Sequence, residues 1–227
     1  MQRESTGITQ VDSMLCGGLP KDSIIGLEGP PGVGKSIFAL HFMLEGARKG
    51  QKCLYINLEE PLSNIEQMIT EFSFGKEFQG FVKKGLIVIK CYNYMEYEKA
   101  YEDLFTKIHD ETSIKRVVID SFNVFFSSAY TPQQIKEISL RKKIYYTFTM
   151  LRREDLLSLL ILESSKQMPN ELSYNVPYMV DGMISLDFLD LGTIERRIFI
   201  PKMRWTEQAK ESKSYEITGK GINILEE

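Results

Sequence analysis

The stretch Ser23-Ile24-Ile25-Gly26-Leu27-Glu28, running into Gly29-Pro30-Pro31-Gly32-Val33-Gly34-Lys35-Ser36, decides the architecture. Its first half reads as a short apolar strand. The second half fits GxxxxGK[ST], the pattern of a phosphate cradle. A polyphosphate needs dense positive potential at short range. Glycines let backbone N–H groups curl round it, and a helix beginning near Lys35 adds its positive end. Lys35 is expected to reach the terminal phosphates and the Ser36 hydroxyl to ligate Mg²⁺, with Gly32, Val33, Gly34, Lys35, Ser36 and Ile37 as the nucleotide-binding set. The alternative is a glycine-rich turn with a chance lysine. The strand upstream and the helix downstream both argue for the cradle.

Working outward, the helix should run over residues 35–48 and stop at Gly50, where glycine suits a helix end. Its residues are apolar nearly all round, as for a helix buried against a sheet. Strands are predicted at 52–58 (KCLYINL), 86–90 (LIVIK), 116–120 (RVVID) and 156–162. Helical segments should begin near Pro61 and cover 132–153. Tyr97, Tyr101, Leu104, Phe105 and Ile108 recur at helical spacing between them. Residues 178–188, 196–203, 214–217 and 222–225 read as strands joined by turns at Gly192 and Gly219. Alternating strand and helix followed by a strand-rich tail predicts an α/β fold, a mainly parallel central sheet flanked by helices with added antiparallel C-terminal strands. No linker or internal repeat divides the 227 residues, so one domain over 1–227 is expected.

Lysine and arginine total 28 against 31 acids, a net charge of −3, which does not advertise a nucleic-acid binder. Cys16, Cys53 and Cys91 lack metal-like spacing and read as reduced thiols. His41 and His109 are too far apart in sequence to suggest a histidine metal site. With a polar amino terminus and no long apolar run, the expected address is the cytoplasm, with no membrane contact.

Two further acidic positions carry chemistry. Asp120 closes the strand RVVID and is followed by Ser121, as does the acid that supports magnesium in P-loop enzymes. Glu59-Glu60 follows the strand after the P-loop helix, where strand ends gather at a ligand crevice. A carboxylate there can activate the water that attacks a γ-phosphate. Read alone, the same pair would be a solvated turn before Pro61.

Taken in order, Thr6-Gly7-Ile8, Asp12, Gly17-Gly18-Leu19-Pro20, the P-loop, Leu58-Glu59-Glu60-Pro61, the RVVID strand with Ser121, Glu163-Ser164, Val180-Asp181-Gly182 and Lys202-Met203-Arg204 resemble KaiC. More broadly, the sequence is similar to the KaiC/RadA branch of RecA-type ATPases. The resemblance implies a RecA-type P-loop fold, ATP with Mg²⁺, ATP hydrolysis and assembly as a ring, a hexamer in that family. It implies catalytic roles for Glu59, Glu60 and Lys35, with Glu60 the first candidate for the base and Glu59 the next, and metal support from Ser36 and Asp120. Glu163 matches a polar position facing the nucleotide. Lys202 and Arg204 match a K-x-R pair that reaches the neighbouring subunit's site, a trans-acting role like that of an arginine finger.

The sequence also departs from the pattern. KaiC clock proteins carry two such domains in tandem and this chain has one, so timekeeping is not implied. Trp205 and Gln208 stand where the family run K-x-R-G-T-x-H has glycine and histidine, and Trp205 is expected near a subunit boundary. A RadA-paralogue role with single-stranded DNA is a rival reading. Of its two candidate loops, however, 122–133 holds no lysine or arginine and 166–177 only Lys166. Arg141-Lys142-Lys143 and Arg152-Arg153 could line a pore. A third reading is a nucleotide-binding scaffold with little hydrolysis, against which Glu59 and Glu60 argue.

Overall fold

The computed structural model describes residues 2–123, 137–153, 155–163, 176–190 and 192–225. Among the described residues, nine strands, numbered by their place in the chain, form one sheet in the order β11-β10-β9-β8-β3-β7-β6-β4-β5. Its parallel part comprises β3 (Ile24–Gly29), β4 (Lys52–Asn57), β5 (Ile87–Cys91), β6 (Ile114–Asp120), β7 (Leu157–Glu163) and β8 (Gly182–Asp190). β9 (Ile194–Met203), β10 (Lys213–Thr218) and β11 (Gly221–Ile224) continue it antiparallel. This is the expected mainly parallel sheet with an antiparallel carboxyl-terminal extension. β3 is flanked on both sides and reads as a nearly unbroken apolar run, because a strand covered by helices must be apolar on both faces.

Helix α2 (Lys35–Arg48) lies against the sheet and buries Phe38, Ala39, Leu40, Phe42, Met43 and Leu44. Each such large side chain removed from water contributes roughly 1.5–3 kcal/mol. A second apolar cluster, on other residues of the same strands, includes Leu104 and Ile108 of α5 (Tyr97–Asp110) and Ile144 and Phe148 of α6 (Glu137–Leu151). The part of the predicted helix before residue 137 lies outside the described residues.

Three features differ from expectation. The segment beginning near Pro61 is two helices, α3 (Leu62–Thr70) and α4 (Gly75–Lys83). Gly75 allows the close approach at the break, since a Cβ there would meet the Ile69 carbonyl oxygen at 2.3 Å. β8 starts at Gly182 rather than 178, because 176–179 form a helical turn and the Val180 amide bonds to the Val176 carbonyl. The amino-terminal segment also has structure of its own. β1 (Arg3–Glu4) pairs with β2 (Leu19–Pro20), with α1 (Thr9–Met14) between them. Asp12 ties this arm by accepting from the Thr6 amide and hydroxyl and from Ser5 Oγ. The buried Arg116 clamps it to the sheet through Glu4, the Ser5 carbonyl, Gln51 and the Phe42 carbonyl.

Candidate functional site

The carboxyl ends of four adjacent strands, β3, β7, β6 and β4, meet at one edge of the sheet. Gly29 is in register with Glu163, and Asn57 with Asp120. The residues that follow these ends converge there, as ligand sites do in open α/β sheets.

The P-loop joins β3 to α2. Gly32 and Gly34 take φ of +76° and +110°, conformations that side chains resist, and no Cβ would crowd Gly32. Gly34 is the N-cap of α2 and offers no side-chain acceptor to the first-turn amides, a helix start of the kind that suits an anion. The loop is braced from behind. Tyr215 of β10 donates to the Val33 carbonyl at 2.6 Å, and the β8 carbonyl of Leu186 comes so close to Gly29 that a Cβ would meet it at 2.4 Å. Lys35 is buried and donates to the carbonyls of Gly29 (2.9 Å) and Pro30 (3.1 Å). Burial lowers its pKa, while Glu163, Asp120 and Glu59 act in the opposite direction.

Ser36 Oγ donates to Asp120 Oδ2 at 2.9 Å, and the buried Tyr55 hydroxyl donates to the same oxygen at 2.6 Å. Hard oxygen donors meeting at one point suit a magnesium ion, which takes few protein ligands and completes its shell with water and phosphate. Ser36 and Asp120 therefore fit the metal expected at this place. Burial raises the pKa of Asp120, against the hydrogen bonds from Tyr55 and Ser36 and the charge of Lys35. Nothing in the sequence singles out Tyr55. Within KCLYINL it reads as one more apolar strand position.

The buried Asn57 sets the acidic turn. Its Oδ1 accepts the backbone amides of both Glu59 (3.0 Å) and Glu60 (2.7 Å). Asn57 too escaped the sequence reading, although Asn at a strand end before a turn is a recurrent signal. The two glutamates have different surroundings. Desolvation raises the pKa of Glu59; a Ser121 hydrogen bond lowers it, Asp120 and Glu163 raise it further, and Lys35 lowers it. Glu60 adds to the field on Asp120 and, with Glu66, to that on Cys91. The Glu163 amide is fixed by Asn123 Oδ1 at 2.9 Å.

Lys202 and Arg204 lie at the opposite end of the sheet. Ile25, near the start of β3, pairs with Gly182, and Gly182 pairs with Met203. Gly29 is four residues further along, about 13 Å at ~3.3 Å per residue. The pair therefore does not join the P-loop of its own chain. Lys202 donates to the carbonyls of Pro177 and Val180, both at 2.8 Å, and Arg204 to Asp181 at 3.3 Å.

The sequence model of the KaiC ATPase family matches residues 4–227. The chain belongs to the KaiC ATPase family. Among similar curated proteins, a UPF0273 protein of Thermotoga maritima is 29% identical, the match covering 99% of this chain and 96% of that protein. A UPF0273 protein of Pyrococcus horikoshii is 28% identical over 98% of this chain and 94% of its own length. The circadian clock oscillator protein KaiC of Rippkaea orientalis is 26% identical over 98% of this chain, but only 42% of the clock protein is spanned. The crystal structure of a KaiC-like protein from Pyrococcus horikoshii superposes with a TM-score of 0.80 at 24% identity, covering 99% of both chains, which shows a shared fold.

Within the KaiC pattern, the departures acquire a geometry. Trp205, standing where the family run has glycine, keeps a glycine-like φ of +57° and is 62% exposed. Gln208 donates to the Ile200 carbonyl at 2.8 Å. The loops weighed for DNA, 122–133 and 166–177, lie almost wholly outside the described residues. Of the basic runs, Lys142 is exposed, Arg152 donates to Asp181, and Arg153 donates to the carbonyls of Ile108 and Ile114. Arg152 and Arg153 are thus engaged within the chain. Among the described residues, no helix is long and apolar enough to cross a membrane.

Proposed function

We propose that this chain is a single-domain ATPase that holds Mg²⁺-ATP between neighbouring copies of itself in a ring, a hexamer, and hydrolyses it as a regulatory switch. The observation that carries the reading is the convergence of Lys35, Ser36 and Asp120 at the mouth of the P-loop, with Glu59 within electrostatic reach. Backbone amides of Gly32, Val33, Gly34 and Ile37 would bind the phosphates, and Lys35 would move from its carbonyl partners to the terminal phosphates. The magnesium ion, held through Ser36 and Asp120, supplies charge neutralisation when bound. Glu59 is the favoured base for the attacking water and Glu60 the second choice. Lys202 and Arg204, too far from their own P-loop, would serve that of the next subunit.

The test is to size the protein with and without Mg²⁺-ATP while measuring phosphate release. Assembly together with turnover supports the reading. Hydrolysis by a strictly monomeric species at the same specific rate would sink the shared site, and assembly without phosphate release would favour a scaffold.

A further inference from the structure

The motif Val180-Asp181-Gly182 remains without a role in this scheme. Asp181 is 1% exposed, and a buried carboxylate is costly unless held by charge and hydrogen bonds. It has both. Arg152 Nη1 donates to its two oxygens at 3.1 and 3.0 Å, Arg204 Nη1 donates to Oδ1 at 3.3 Å, and the Ile24 amide donates to Oδ2 at 3.1 Å. The neighbouring glycine aids the arrangement. A Cβ at Gly182 would meet Met203 Sδ at 2.4 Å, so Met203 packs inward there, while Lys202 and Arg204, on either side of it, are more exposed.

We infer that Asp181 is the positioning residue for Arg204, fixing its guanidinium at the subunit face before a neighbour's nucleotide arrives; this rests on the trans-acting reading proposed above. Of the five N–H donors of Arg204, one meets Asp181 and one the Tyr178 carbonyl at 3.4 Å among the described residues, leaving the rest of the fork for an anion. The side chain of Arg204 stays 44% exposed. One carboxylate faces three cations, Arg152, Arg204 and Lys202, so the corner keeps positive charge for phosphate. Beside it lies a hollow of about 440 Å³ lined by Tyr145, Phe148, Arg152, Tyr178, Met179 and Arg204. An unanchored arginine would lose rotamer freedom in the transition state, and anchoring it beforehand lowers that entropic barrier.

The experiment compares turnover by wild type, Asp181→Asn, Arg204→Ala and the double variant, each shown to assemble to the same size. Asp181→Asn is expected to lower kcat about tenfold, the worth of one charge-assisted hydrogen bond, with KM for ATP unchanged. The double variant should be no slower than Arg204→Ala alone, a non-additivity that a merely structural role does not produce. Multiplying defects, or a faster Asp181→Asn enzyme, would overturn the positioning role while leaving the trans-acting reading intact. Arg204→Ala turning over at the wild-type rate would instead remove the trans-acting reading, and the inference with it. If Asp181→Asn does not fold, the wild-type protein decides. The ¹⁵N-arginine signal lost in Arg204→Ala should report hindered guanidinium rotation, and free rotation would refute the anchor.

Discussion

At the scale of single residues, two adjacent acids differ in what surrounds them. Sequence places both Glu59 and Glu60 at a strand end and puts Glu60 first as the base with Glu59 next, but neighbours in sequence share a position and not an environment. The field from Asp120, Glu163 and Lys35 falls on Glu59, while Glu60 acts on Asp120. Glu59→Gln is therefore expected to retain ATP binding and lose about two to four orders of magnitude in turnover, the range for removal of a general base. Glu60→Gln should change turnover only a few-fold. A base must be ionised to act, and desolvation pushes the pKa of Glu59 above its ordinary 4.5. The rate should thus rise with pH along a limb lying above that value, and the residual activity of Glu59→Gln should lack the limb. A dead Glu60→Gln with a healthy Glu59→Gln would exchange the roles. The P-loop itself was legible because its meaning lies in a contiguous run. Tyr55 and Asn57 were not, because each acts through a partner that only the folded sheet brings near.

Elements, by contrast, were read largely from periodicity, and the misses share a cause. The α3–α4 break depends on Gly75 backing onto Ile69, and the β1–α1–β2 arm depends on Arg116, more than 100 residues away. Such long-range contacts leave no local pattern. The seam between α2 and β11 is another. His41 of α2 accepts the Ile222 amide through Nε2 at 3.2 Å, and Gly221, at φ +92°, leaves the room its ring needs. Desolvation, with a smaller contribution from Arg48, lowers the pKa of His41 from 6.5 to about 4. Between these values the unfolded chain binds the proton and the folded chain does not, so stability must fall as pH drops from 6.5 towards 4. The loss approaches about 3 kcal/mol at the lower limit. Denaturant melts across that range should show the decline, and His41→Gln, which cannot titrate, should flatten it. An unchanged slope in the variant would place the acid sensitivity elsewhere.

For the whole molecule, the two groups of charged residues lie at opposite edges of the sheet. The P-loop, Asp120 and Glu59 occupy the carboxyl edge of the parallel strands, while Lys202 and Arg204 sit near the start of β3. A head-to-tail contact between copies places one chain's amino-edge cations against the next chain's carboxyl-edge site, and such heterologous contacts close into rings when the rotation permits. Mixing subunits tests this directly. One population carries Arg204→Ala; the other carries whichever of Glu59→Gln or Glu60→Gln abolishes hydrolysis while keeping nucleotide binding. Neither makes a complete site with copies of itself. In a randomly mixed ring at equal ratio, half the P-loops keep their glutamate, and half of those face an intact Arg204. About a quarter of the sites should then be whole, and turnover should recover towards a quarter of the wild-type rate. If both residues instead served the P-loop of their own chain, every subunit would remain defective in any mixture. Absence of recovery, in rings shown by mass to contain both variants, would therefore confine the active site to one chain and remove the functional reason for a ring.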